Sequence, residues 1–424
     1  MYKKYLLSFI LTITAATGVQ AAGYQLQEYS VTGLGRAFAG AGVMGDDYSA
    51  VAFNPAGMSL VEKSGLQMGA IAVDVYGKAK GESRADTATP TAIIQGTPKS
   101  GSTHSNLFRL LPHFYGQKKV NNKLDLGIGL YVPFGLANDY KNNWFGTEHG
   151  QYSGITVVNL TPSISYKVSN NLSLGLGINL QYTEAHLTGG VAGGGSTNMK
   201  HAKDTGVGYN VGLTYKPFET TRLGLSYRSK VSHKLHGHNY GHSSPGIDAT
   251  AFLDGKNRVN AKITTPETVI FSAAQDIGKK WTLSGIVRWT RWSRFDQLDI
   301  YQDNAGLIGS TKENWRNTWL YGLGADYKYC KNLTFRFGGA WDKTAIRSAK
   351  FRTPRIPDER RIWMSVGASY MKNNWQVDVG YSHLFVRKAH ANGSDSLAQA
   401  KGGYFRGKYQ IQSDIFGLGV QYKF

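Results

Sequence analysis

From about residue 65 to its last residue, the chain alternates apolar with small polar side chains at a period of two. Leu172, Leu174, Leu176, Ile178, Leu180 and Tyr182 fall on one face, with Ser173, Gly175, Gly177, Asn179 and Gln181 on the other. Successive side chains of a strand point to opposite faces, so such a run is a strand with one apolar and one polar or empty side. The pattern recurs at 124–134, 207–215, 319–327, 362–370, 375–381 and 416–424. A soluble β-sandwich also alternates. Two details favour lipid over a protein core. The apolar rows tend to end in Tyr, Trp or Phe, as interfacial girdles do. The opposite face is Gly, Ser, Asn, Gln and Thr with few charges, which suits a crowded lumen.

The connections fall into two classes. Six are short and turn-like, near 118–122, 168–171, 217–220, 276–279, 329–332 and 372–374. Seven are longer and polar, near 78–106, 138–152, 188–204, 236–257, 300–314, 345–359 and 388–403, and the two classes strictly alternate. Thirteen connections join fourteen strands, an even number with short turns at one end and long loops at the other. The expected fold is therefore all-β: a 14-stranded antiparallel transmembrane β-barrel over residues 65–424. Closure is required because hydrocarbon offers no partner to an open strand edge.

Residues 22–64 lack sustained alternation and are rich in Gly and Ala, as expected of a small N-terminal hatch plugging the barrel. Residues 1–21 read as a signal peptide: Lys3 and Lys4, a short apolar run, then Val19-Gln20-Ala21 before the cleavage point. An exported barrel of this kind belongs in the outer membrane of a Gram-negative bacterium. The terminal Phe424 after an alternating strand fits the signal read by barrel-assembly machinery. The 52 glycines and 52 aromatic residues suit lumen-facing strand positions and membrane girdles. The net charge of +20 points to lipopolysaccharide phosphates rather than nucleic acid in an exported protein. The single cysteine, Cys330, excludes a disulfide framework and sits at a turn.

Other motifs carry little chemistry. Gly33, Gly35 and Gly40 mimic a phosphate loop, but no strand precedes them and no Lys-Ser/Thr follows, so hatch flexibility is the better reading. Asp46-Asp47 is expected to tie the hatch to the basic interior. His233, His236, His238 and His242 are expected together in one outer loop without the fixed geometry of a metal site. Parity puts Arg228, Arg288, Arg336 and Arg361 on the lumen face, either receiving a carboxylate or pairing with acids such as Asp342, Asp358 and Glu359. No cofactor, metal or catalytic group is expected. A hydrolase would need a Ser and His side by side, yet Ser382 and His383, being adjacent, point to opposite faces.

AGYQLQEYSVTGLGRAFAGAG followed by Asn54-Pro55-Ala56 resembles the N-terminal hatch of the bacterial outer-membrane long-chain fatty acid transporters of the FadL/TodX type. Residues 264–298, 334–342 and 355–370 resemble further segments of that family in the same order. The resemblance implies a plugged fourteen-stranded barrel, acting as a monomer, that passes hydrophobic ligands from outside to an inner pocket. Release is then lateral, through a gap beside a kinked third strand. Long-chain fatty acids are the leading ligand; aromatic hydrocarbons are the runner-up, with a hydrolase or a general porin more remote. The kink would lie at Pro133, Phe134 and Gly135, where Pro cannot donate to the ladder, with Asn54, Pro55 and Ala56 against it. Tyr24 would reach the inner pocket, and Arg316, with Arg336 and Arg361, would be candidates for a carboxylate. The family's long third outer loop corresponds only to Gly189 to Lys203, and its basic fifth-strand positions correspond to Glu184 and His186.

Overall fold

The computed structural model describes residues 23–88, 93–140, 143–191, 195–243, 254–393 and 403–424. The expected signal peptide, residues 1–21, lies outside them. The alternating runs form β1 (Gly65–Arg84), a small hairpin of β2 (Asp86–Ala88) and β3 (Ile93–Gln95), β4 (Lys99–Lys119), β5 (Leu124–Asp139), β6 (Tyr152–Lys167), β7 (Leu172–Val191) and β8 (Gly195–Phe218). Four staves are then each built from two strands: β9 (Thr221–Arg228) with β10 (Val231–Gly241), β11 (Gly255–Thr265) with β12 (Thr268–Ile277), β13 (Trp281–Thr290) with β14 (Gln297–Gln302), and β15 (Gly306–Lys312) with β16 (Thr318–Lys328). β17 (Leu333–Asp342), β18 (Arg361–Lys372), β19 (Trp375–Val386) with β20 (Ala389–Gly393), and β21 (Tyr404–Lys423) complete the wall.

Apart from the hairpin, these strands form one sheet of 19, arranged as 14 antiparallel staves among the described residues. It closes because β1 pairs with β21 from Gly65↔Lys423 to Arg84↔Tyr404, and with β4 from Gly65↔Gln117 to Ser83↔Lys99. The six expected short connections lie at one end, where the Phe424 N–H also donates to the Ser64 carbonyl at 2.9 Å. Leu66 and Met68 on β1, Leu174 and Ile178 on β7, and Leu323 on β16 face outward and stay exposed, as lipid contact requires. Trp281, Tyr327, Trp375 and Tyr422 form part of the girdle at the short-turn end, and Trp319, Tyr321 and Trp341 part of the other.

Several expected loops are strand instead. A stave needs only about 9–11 residues to cross the bilayer, yet β1, β4, β7 and β8 run for 20, 21, 20 and 24. The polar stretches near 78–106 and 188–204 are largely the upper parts of these hairpins. Their polarity marks where the strands leave the membrane, not where pairing stops. The histidines near 236 are corrected in the same way. His233, His236 and His238 lie on β10, with His233 buried inward and His236 exposed on the opposite face.

Residues from Gly23 to Ser64 occupy the lumen. Two short helices, α1 (Val31–Leu34) and α2 (Ala50–Phe53), and a 3-10 turn (Pro55–Leu60) bury Leu26, Phe38, Val51 and Met58. The Ser30 hydroxyl caps α1 by accepting from the Gly33 N–H at 2.9 Å. Wall glycines make this close packing possible. A Cβ on Gly175 would strike the Pro55–Ala56 backbone, and one on Gly212 the Asn54 side chain. Arg228, Arg288, Arg336 and Arg361 are all buried on the inward face.

Candidate functional site

Among the described residues, the wall lacks a long run of pairing between β4 and β5. β4 pairs with β5 only from Phe114↔Leu130 to Lys119↔Asp125, so among the described residues the β4 edge from Lys99 to His113 has no strand partner on that side. The register between β5 and β6 shifts between Tyr131 and Phe134, the stretch holding Pro133. Beyond the shift the in-out alternation of β5 is lost, and every residue from Tyr131 to Asn138 is buried. A proline without an N–H, a bulge and a glycine together bend this half-strand into the barrel.

The bent edge is covered by the start of the N-terminal segment. The Leu26 N–H donates to the Pro133 carbonyl at 2.9 Å, the Gly135 N–H donates to the Tyr24 carbonyl at 2.8 Å, and Gln25 stands opposite Phe134 in an antiparallel bridge. Three residues thus take the place of a missing neighbour strand. Gly23 just before them has φ +68°, and a side chain there would meet Trp315 and Trp292 at 2.5 and 2.7 Å. The Tyr24 ring lies among Trp292, Phe295, Trp315 and Phe134, with centroids 4.7, 5.7, 6.0 and 6.0 Å away.

Tyr24 and Leu136 also line a cavity of about 790 Å³ in the outer half of the barrel. Its walls are apolar: Ile155, Ala185, Leu187, Met199, Leu235, Val259, Ile263, Leu298 and Ile300 converge from β6, β7, β8, β10, β11 and β14. Glu313 and Arg355 are its ionisable members besides Tyr24. Arg355, on a loop rigidified by Pro354 and Pro357, donates to the Ser153 hydroxyl at 3.0 Å. Glu313 accepts from the Trp315 indole N–H at 2.9 Å, and burial pushes its carboxyl up to about 7, against the opposing pull of Trp315 and Arg355. A smaller cavity of about 320 Å³ lies behind Asn138 and Tyr140, against Leu107 of the unpaired β4 edge.

The expected site residues divide. Tyr24, Pro133, Phe134 and Gly135 come together at the bent edge. Asn54, Pro55 and Ala56 do not sit against it. The Asn54 amide donates to the Leu213 carbonyl at 3.1 Å, and the Ala56 carbonyl accepts from Ser165 at 3.2 Å and Thr214 at 3.4 Å, all near the short-turn end of β6 and β8. Their link to the bend is indirect: Arg228 donates to both the Ala52 carbonyl, at 2.6 Å, and the Tyr131 hydroxyl, at 3.0 Å.

The expected arginines are committed elsewhere. Arg336 pairs with Asp326 at 3.1 Å and with Asp46 of the N-terminal segment at 3.0 Å. Arg36 closes the same network on Asp46 at 2.7 Å and Asp326 at 3.0 Å. Asp47 instead binds the hydroxyls of Ser30, Thr32 and Ser49. Arg361 pairs with Asp342 at 3.6 Å and with Asp358. Arg316 donates to the Thr344 carbonyl at 3.3 Å and does not line the cavity. Glu184 and His186 have the outward parity of Leu180 and Tyr182, whereas Thr183, Ala185 and Leu187 face in.

The family model described as "Outer membrane protein transport protein (OMPP1/FadL/TodX)" matches residues 12–424. Outer membrane protein P1 of Haemophilus influenzae is 29% identical over 465 residues, covering 100% of both chains. The long-chain fatty acid transport protein of Escherichia coli K12 is 26% identical, with 96% of each chain covered. Among solved structures, a Pseudomonas aeruginosa FadL homologue superposes with a TM-score of 0.85 at 26% identity, over 95% of this chain and 100% of its own. The Ralstonia pickettii toluene transporter TbuX shares the fold, with a TM-score of 0.66 at 17% identity over 94% and 99%. A closed barrel with lipid-facing apolar rows, matched along nearly its whole length, places the chain in the outer membrane as a member of the OMPP1/FadL/TodX family of transport proteins.

Proposed function

We propose that this barrel carries long-chain fatty acids, or similarly hydrophobic compounds, passively across the outer membrane. The ligand enters the apolar cavity from outside and leaves sideways into the bilayer between β4 and β5. One observation carries the reading: Tyr24 lines the cavity, and the strand-like segment that it opens, Tyr24 to Leu26, covers the bent edge of β5. A ligand that displaces this segment both makes room for itself and uncovers a way out. Lateral exit costs little because hydrocarbon accepts an apolar chain that water rejects by about 0.8 kcal/mol per CH₂. The buried N-terminal segment acts in this scheme as the plug that prevents free diffusion of water-soluble solutes.

Uptake of labelled oleate by cells with and without the gene tests this directly. Higher uptake with the gene is expected, and equal uptake overturns the proposal. Replacing Pro55 or Ala56 by a bulky residue forces the 3-10 turn away from Gly175, and uptake is expected to fall while the barrel still assembles.

Aromatic hydrocarbons form the second reading, favoured by the apolar lining and by the shared fold of the toluene transporter. An Arg355→Leu variant separates the two, since only a carboxylate ligand needs that guanidinium. Arg316→Ala is expected to leave both ligands unaffected. No chemical step is assigned. Ser382 is buried and bonded to Ser365, while His383 faces outward onto Asp414, so the pair cannot act together. In this reading the barrel acts as a monomer and is delivered by the barrel-assembly machinery.

A further inference from the structure

The outward face of β8, β10 and β11, above the lipid belt, violates a rule of strand pairing. Lys234 of β10 stands directly opposite Lys262 of β11, and His238 stands between Arg258 of β11 and Lys200 of β8. Lys203 faces His236 one step below. Like charges directly opposed on one face of an antiparallel pair repel, because their Cβ atoms lie only about 4.5–5.5 Å apart. None of Lys200, Lys203, Lys234, Arg258 and Lys262 takes part in an ion pair among the described residues. The nearby carboxylates are engaged: Glu184, opposite Lys203, accepts from Tyr182 and pairs with His201, Asp204 accepts from the Lys234 N–H at 2.9 Å and meets His233, and Asp299 accepts from Gln297.

The position of this face decides what would cover it. Tyr209 and Val207, further down β8, are exposed toward lipid. Lys203 lies four residues before Val207, about 13 Å further up the strand at ~3.3 Å per residue. The patch therefore begins where the outer leaflet's acyl chains end and headgroups begin. On the β1–β21 wall Lys80 also faces Lys408, but as one such pair beside the Glu82–Arg406 ion pair at 3.2 Å, whereas β8, β10 and β11 gather several cations on one face.

We propose that β8, β10 and β11 form a binding surface for the phosphorylated headgroup of an outer-leaflet lipid, whose phosphates bridge the cross-strand cation pairs. Tetrahedral phosphates present several acceptor oxygens, so one group can serve Lys234 and Lys262 together, and a second Arg258 and Lys200.

The test uses the full chain purified in detergent. Retention of bis-phosphorylated lipid A and of its dephosphorylated form is followed by native mass spectrometry. The native chain is expected to retain the phosphorylated form alone. The double variant K234Q/K262Q is expected to lose affinity by about fivefold per charge removed. K331Q/K372Q, with the same charge change at the short turns, is expected to bind as the native chain does. Thermal melting gives an independent reading with opposite signs. Without lipid, K234Q/K262Q is expected to melt higher than the native chain because repulsion is relieved, and phosphorylated lipid A is expected to raise the native chain more. Equal retention of the dephosphorylated lipid, equal loss in both double variants, or competition by inorganic phosphate at the concentration of the lipid overturns the proposal.

Discussion

The two ends of the lumen are held differently. Toward the short turns, the N-terminal segment is stitched to a fully paired wall by charges and hydrogen bonds: Arg36 and Asp46 to Asp326 and Arg336, Asn54 to Leu213, and Ala56 to Ser165. Toward the outside, the same segment meets an apolar cavity and an unpaired strand edge, held by two backbone hydrogen bonds to β5 and by ring contacts around Tyr24. Single hydrogen bonds run from Gly23 to Asp358, from Tyr24 to the Thr264 carbonyl and between Gln25 and both Thr268 and Thr290, with no ion pair among the described residues there. A buried ion-pair network has one good geometry and resists displacement, whereas apolar contacts and isolated hydrogen bonds can be exchanged for those of a ligand. The division assigns anchoring to one end and release to the other.

The anchor is the place to expect the largest effect. Arg336→Ala leaves Asp46 and Asp326 sharing Arg36 alone, two carboxylates facing one cation in a buried site. The loss is expected to be about 3 kcal/mol, read as a lower denaturant midpoint for loss of the heat-resistant barrel form. A change below about 1 kcal/mol would mean that the network is not the anchor. The release end is tested by fastening it. In a Cys330→Ser background, Gln25→Cys with Phe134→Cys joins a directly opposed pair, whose Cα separation of ~4.5–5.5 Å suits a disulfide. Oxidised cells are expected to take up oleate about tenfold more slowly, with recovery on reduction. Full uptake in the oxidised state removes the N-terminal segment from the gating step.

A third substitution probes the cavity between the two ends. Arg355→Leu keeps the cavity apolar but removes its cation, so oleate affinity is expected to fall by about 1 kcal/mol, severalfold, while toluene is unaffected. Quenching of Trp292 and Trp315 beside Tyr24 offers the binding signal.

The strand order and the turns were legible because period two is a local property of each segment, and the alternation of loop lengths follows from a wall that passes repeatedly through one slab. Parity also put Arg228, Arg288, Arg336 and Arg361 inside. It fails wherever an extra residue enters a strand. The extra residue of β8 between Met199 and Ala202, opposite Ala185 and Leu187, breaks the in-out rhythm at the cavity, and the irregularity at Tyr131/Phe134 breaks it at the bend. What an inward arginine pairs with is set by staves distant in sequence: Arg336 and Asp46 lie 290 residues apart. Arg316 looked suited to the site by its neighbours in sequence, and Arg355 did not. The Pro354-Arg355-Ile356-Pro357 stretch falls within the expected connection near 345–359, and nothing in it announced that it would reach over the top of β6.

Glu313 gives the smallest effect and the finest distinction between the two ends. Burial holds its carboxyl at about 7, above its ordinary 4.5. Between those values the folded chain keeps a proton that the unfolded chain has released, so stability falls as pH rises from about 4.5 to about 7 and levels off above. A carboxylate ligand beside Arg355 adds a second negative charge near Glu313, which disfavours ionised Glu313 further. Oleate affinity is therefore expected to be a few-fold higher at pH 6 than at pH 8, with a proton taken up on binding; toluene affinity should change little. Glu313→Gln keeps an acceptor for the Trp315 indole but cannot ionise, so both the slope in stability and the slope in oleate affinity should flatten. If the affinity slope survives in Glu313→Gln, the carboxylate lies elsewhere and the outer half of the lumen distinguishes ligands by shape alone.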